Sequence, residues 1–177
     1  MVERKVKRVE IVSYNPHWKT DFNKIKEMIN SYINDLIISI EHVGSTSIEG
    51  LSAKPIIDLD VVIENYAILP SIIERLKAHG FEHEGNLGVE GREAFRRTYE
   101  DRQPKYHLYV CPKDGKGYLE HIAFRDYLCA NEESRKEYEE LKLKLVEEYS
   151  NDIESYCNKK TEFIRKVLDK RIYKEDS

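Results

Sequence analysis

The sequence predicts an α+β fold, a mixed β-sheet with helices packed on it and a helical layer at the C-terminal end. Three observations carry this. Apolar, β-branched runs alternate with helical patterns over the first two thirds of the chain. Several neighbouring runs are joined by segments too short for a parallel crossover, which needs about a dozen residues. From Tyr118 onward the chain is charged and helix-favouring, with no further strand-like run.

The elements follow in order. "VKRVEIVSY" (6–14) is β-branched and reads as a strand. Asn15 followed by Pro16 is a helix start, a capping side chain before a proline. Trp18, Phe22, Ile25, Ile29 and Tyr32 then recur at helical spacing. "LIISIEHV" (36–43) and "PIIDLDVVI" (55–63) are the second and third strands. Pro70 opens the helix "PSIIERLKAH", and Gly80 stands at its C-cap. "EHEGNLGVEGRE" (82–93) has three glycines and no periodicity, so a flexible hairpin or loop is expected. "AFRRTYE" (94–100) and "YHLYVC" (106–111) form an expected antiparallel pair. Two or three helices follow, with breaks near Asn131 and at 150–152. The expectation is one domain over 1–177, an α/β core to about residue 117 and helices from about 118 to 172.

Composition narrows the function classes. Of the 177 residues 40% are hydrophobic, enough for a core, and 35% are charged, above the usual quarter. The net charge of −4 gives no global support for duplex DNA binding, leaving only a local basic patch. No apolar run approaches the ~18 residues of a membrane span, and the charged N-terminus shows no signal peptide, so a cytoplasmic protein is expected. Cys111, Cys129 and Cys157 are odd in number and widely spaced, which suits reduced thiols better than a disulfide framework or zinc motif.

The chemistry concentrates in "EHVGSTSIEGLSAKPIIDLDVVI" (41–63). Asp58 and Asp60 alternate with Ile57, Leu59 and Val61, so both acids face one side of a strand, about 7 Å apart. Two like charges on an otherwise apolar strand repel each other and lose solvation unless something positive lies between them. A divalent cation with hard oxygen ligands, Mg²⁺ or Mn²⁺, fits that need and would bridge phosphate oxygens. Upstream, Gly44 permits close approach of a ligand to the backbone, and Ser45, Thr46 and Ser47 supply hydroxyl and amide donors. Lys54 adds a positive charge. Taken singly, a D-x-D pair is common on solvated strands and a Gly-Ser-Thr-Ser turn is commonly a helix cap. Their combination points to phosphate.

"GSTSIEGLSAKPIIDLDVVI" resembles the signature of the GrpB-like proteins, a group within the nucleotidyltransferase superfamily. The likeness extends over nearly the whole chain, through "YNPHW" (14–18), "YHLYV" (106–110), "AFRDYL" (123–128), "YEELK" (138–142) and "YCNKK" (156–160). It implies a nucleotidyltransferase-like sheet and transfer of a nucleotide from a nucleoside triphosphate with metal ions. It maps Gly44 and Ser45 onto the phosphate-holding turn and Asp58 and Asp60 onto the metal pair. Two departures stand out. The gap from Ser45 to Asp58 is slightly long, and the strand that brings a third acid in the superfamily reads "KYHLYV", with His107 and Tyr109 on one face and no carboxylate. His107 is suited to act as ligand or base there, or its presence marks lost chemistry.

Other candidates have two readings each. Among Arg92, Arg96 and Arg97, one clamps phosphate or all are solvated; Arg97 is carried forward. Arg125 either reaches the phosphates or pairs with Asp126, which is itself a substitute third acid, as are Glu100 and Asp101. His42 is a nucleotide contact or a satisfied strand-end histidine. Tyr138, Tyr149 and Tyr156 read as packing. Lys159, Lys160, Arg165, Lys166, Lys170 and Arg171 make the last helix basic, a solvated face or a contact for RNA or an acidic partner. The leading expectation is Mg²⁺-dependent nucleotidyl transfer to an unidentified acceptor. The alternatives are a nucleotide- or phosphate-binding module without turnover, and a purely structural partner-binding protein.

Overall fold

A computed structural model describes residues 9–175, with side chains through residue 170. Five strands form one mixed sheet: β1 (Ser39–Val43), β2 (Ile57–Ile63), β3 (Phe81–Gly85), β4 (Glu93–Arg97) and β5 (Tyr106–Pro112). Their order is β1-β2-β5-β4-β3. Only β2 and β5 run parallel; the other three pairings are antiparallel. Helices α1 (His17–Ile33) and α2 (Leu69–Ala78) lie in the first part, and α3 (Lys116–Ala130), α4 (Glu132–Tyr149) and α5 (Ile153–Glu175) follow the sheet.

The local signals act as expected over most of the chain. Asn15 Oδ1 accepts the His17 amide at 3.0 Å, and Pro16 holds helical backbone angles, so α1 starts where predicted. Trp18, Phe22, Ile25 and Ile29 of α1 are buried with Ile72 and Leu76 of α2 against Leu59, Val61, Leu108 and Val110 of the sheet. On the opposite face, Ile48 and Leu51 pack with Phe124, Leu128, Tyr138 and Leu168 of the C-terminal helices. Among the described residues no helix is long and apolar enough to cross a membrane.

One expectation is corrected, and one open alternative is decided. The strand over 6–14 reduces, within the described residues, to a single bridge between Val12 and Ala53; residues 6–8 lie outside them, as does the Arg171 side chain. Val9 instead packs against Leu145 and Tyr156, outside the sheet. Of the two readings of 82–93 the hairpin holds: its start belongs to β3, an edge strand paired antiparallel with β4, and its last residue opens β4. An edge strand pairs on one side only, and here Phe81 alone is buried, so no apolar alternation marked it.

Candidate active site

β2 divides its side chains by period two. Ile57, Leu59 and Val61 are sealed in the core, while Asp58 and Asp60 point to the face covered by the C-terminal helices. Register sets their neighbours: Val43 and Glu41 of β1 lie opposite Asp58 and Asp60, and His107 and Tyr109 of β5 lie opposite them on the other side. Above this row opens a cleft of about 420 Å³ lined by Gly44, Ser45, Lys54, Asp58, Arg92 and His107, among others.

The Gly44 turn forms the rim. Gly44 has φ +73°, the left-handed region that glycine adopts without penalty, and a side chain there would run into Asp58 Oδ2. Residues 45–47 make one 3₁₀ turn. Ser47 Oγ donates to the Gly44 carbonyl, and Thr46 Oγ1 bonds His42 Nε2 at 2.9 Å beneath the turn. His42 stacks on Phe22, and burial pushes its pKa down to about 4, so it is a neutral support for the turn.

Each acid carries a histidine. His107 Nδ1 donates to Asp58 Oδ1 at 2.9 Å, and His121 Nδ1 of α3 lies 2.7 Å from Asp60 Oδ2. Asp60 is fully buried, and burial raises its pKa against the opposing pull of His121. Burial alone would lower His121, yet the hydrogen bond and charge of Asp60 outweigh it and lift the imidazole. The imidazole therefore serves as the donor to the Asp60 carboxylate, from Nδ1 to Oδ2. Asp60 Oδ1 is left buried with no hydrogen-bond partner among the described residues. Burial also pushes the Tyr109 hydroxyl up to about 12. The guanidinium of Arg92 lies over the Tyr109 ring, 4.3 Å from its centroid, with a buried, unpartnered Nε.

The C-terminal helices close the cleft. Tyr156 and Lys160 of α5 line it across from Lys54. From α4, Glu139 Oε1 accepts the Ser52 amide at 3.0 Å, and the buried Lys142 Nζ donates to the Ser52 carbonyl. Both backbone groups of one residue between the turn and β2 are thus held by a helix some 90 positions downstream.

Of the residues singled out from sequence, the cleft gathers Gly44, Ser45, Thr46, Lys54, Asp58 and His107, with Asp60 beneath them. Ser47 lies behind the turn. Arg97 is outside, paired with Asp101 and laid over Tyr106. Arg125 is also outside: it bonds Glu41, the His42 carbonyl and Asp126, because α3 directs it to β1. Arg92, weighed from the sequence as a phosphate clamp but not carried forward, lines the cleft, as do His121, Tyr156 and Lys160, which were not chosen as phosphate contacts. His121 reaches Asp60 across 61 positions, so no local pattern signals it.

The residues present fit a hard cation in one respect. Asp60 Oδ1 has no partner among the described residues, and Asp58 Oδ2 faces the Gly44 turn, so each acid keeps one oxygen outside its histidine hydrogen bond. Among the described residues no three acidic, histidine or cysteine side chains form a protein cage for a metal. Mg²⁺ is commonly held by one or two carboxylates and completed by substrate phosphates, which is what these two oxygens allow.

A five-stranded mixed sheet with a Gly-Ser turn above paired strand acids defines a nucleotidyltransferase-like fold. The crystal structure of the Cid1 poly(U) polymerase bound to MgATP shares it, with a TM-score of 0.55 at 14% identity, over 78% of this chain and 44% of that one. The chain belongs to the GrpB family, whose model, described as GrpB protein, matches residues 8–170. It is 39% identical over 163 residues to the glutamate-rich protein GrpB of Alkalihalophilus pseudofirmus, covering 90% of this chain and 94% of that protein. The crystal structure of GrpB from Enterococcus faecalis has a TM-score of 0.81 at 28% identity, covering 95% of this chain and all of the other.

Proposed function

We propose that the protein binds a nucleoside triphosphate with Mg²⁺ and moves its nucleoside monophosphate to an acceptor. The observation that carries this is the buried Oδ1 of Asp60, without a partner among the described residues, two positions along β2 from the Asp58 carboxylate that meets the Gly44 turn. A carboxylate oxygen stripped of water and of donors costs several kcal/mol, on the order of an unmade charged hydrogen bond, unless a cation satisfies it. When bound, the metal would neutralise charge on the phosphates and on the leaving pyrophosphate. Asp58 and Asp60 hold it. Ser45 and the turn amides orient phosphate oxygens. His107, with Nδ1 fixed by Asp58, presents Nε2 to take the acceptor proton, and His121 locks the orientation of Asp60. The nucleotide-bound neighbour Cid1 supports the reading at the level of fold.

A second reading rests on a specific feature. β5 offers His107 where a third acid is expected, and both acids already have histidine partners. On that reading the cleft binds a phosphorylated ligand without turnover. Titration with Mg-ATP followed by a pyrophosphate assay separates them. Binding with pyrophosphate release supports transfer. Binding without release, across a range of alcohol and phosphate acceptors, supports the module. No Mg-ATP binding sinks both.

A further inference from the structure

Resting on the nucleotide-binding reading, we propose that Lys54 and Lys160 form a subsite for the distal phosphates of a di- or triphosphate, on the α5 side of the cleft. Tyr156 and Lys160 stand four residues apart on α5, so they share a helix face. Lys54 arrives from the segment before β2. Its Nζ lies 4.8 Å from the Tyr156 ring centroid, and Lys160 Nζ lies 5.1 Å from the same ring. Two ammonium groups are thereby gathered on one buried tyrosine. Neither has a carboxylate within salt-bridge distance among the described residues, and the acid that lines the same cleft, Asp58, is taken by His107.

A third lysine lies behind them. Lys142 is almost fully buried and is laid over the Tyr138 ring, with Glu139 as the acid that opposes its charge loss. Burial first, then the charge of Lys54, lowers Lys160; burial and then Lys160 lower Lys142 to about 7. Clustered cations in a closed cleft raise the energy of the empty protein, as the paired aspartates do nearby, and an anion of high charge relieves them. The Gly44 turn and the lysines are separate donor groups on one cavity. A ligand engaging both carries more than one phosphate, which distinguishes a nucleoside triphosphate or its pyrophosphate product from a monophosphate.

The test is calorimetry with ATP, inorganic pyrophosphate and AMP, each with Mg²⁺, on the full chain and on Lys160→Met, Lys54→Met and Lys160→Arg. Each methionine variant is expected to weaken ATP and pyrophosphate about 10-fold or more while AMP changes by about 2-fold at most, the scale of a lost charge-assisted hydrogen bond. Lys160→Arg keeps the charge and recovers most of the affinity. Without ligand, Lys160→Met melts above the wild type because repulsion is relieved. Methionine variants that bind ATP and pyrophosphate as the wild type does, or that lose AMP equally, overturn the subsite and leave the nucleotide reading standing. A wild type that binds none of the three probes overturns both.

Discussion

The two faces of β2 obey different rules. On one, Ile57, Leu59 and Val61 are sealed beneath α1 and α2, where each buried methylene contributes about 0.8 kcal/mol. On the other, Asp58 and Asp60 meet two histidines and, further along the cleft, an arginine and lysines. The first face is satisfied by the protein itself. The second is left with an orphaned oxygen and gathered like charges. A single strand thus separates a self-satisfied core face from a polar cleft face by nothing more than side-chain alternation.

The sharpest way to break that contrast is on the dry face. Leu59→Ala should cost about 2–5 kcal/mol in urea unfolding, while the folded fraction keeps its ATP affinity. A cost below about 1 kcal/mol would mean that this face is not the one holding the fold together.

Next comes Lys142 on the wet side. Its folded-state pKa of about 7 lies below the ordinary lysine value of 10.5. Between those values the unfolded chain binds the extra proton, so stability rises with pH across that window, by an amount on the order of a few kcal/mol. Denaturant titrations at pH 7 and pH 10 should show the rise in the wild type and a smaller one in Lys142→Met. Equal rises would show that the lysine is not strained in the folded protein.

Gly44→Ala should cost about 1–3 kcal/mol, since it forces a left-handed residue and displaces the Asp58 carboxylate. Calorimetry should find Mg-ATP binding lost with it; retained affinity would detach the turn from the ligand. Asp58→Asn should have the smallest effect on the empty protein, under about 1 kcal/mol, because the pair with His107 is partly exposed. It should nonetheless abolish the increase in melting temperature that Mg-ATP gives the wild type. An undiminished increase would remove Asp58 from the site.

Most of the sheet and the turn-and-acid pair were legible because their signals are local. Alternation announced β2, Asn15-Pro16 announced α1, and D-x-D placed both acids on one face. The edge strand β3 was hard to read because Glu82, His83 and Glu84 alternate in exposure without an apolar residue to mark the inward side. His121 and Lys160 were illegible as site residues because helices bring them to the cleft from far along the chain. Arg92 was weighed beside Arg96 and Arg97, and what separates it is structural: a side chain at Gly91 would collide with the start of α3, and Gly117 packs against Arg92 Cβ, so two glycines seat that arginine. Arg97 and Arg125 carried the right charge, but Asp101 in one case, and Glu41 with Asp126 in the other, claim them.

The grip of α4 on Ser52 has a consequence for biosynthesis. A nascent chain emerges from the ribosome with its Gly-Ser turn early and with Glu139 and Lys142 much later. Until those residues arrive, both backbone groups of Ser52 lack their helix partners and the linker is held through the Val12–Ala53 bridge, so the segment joining the Gly-Ser turn to β2 is completed late in synthesis.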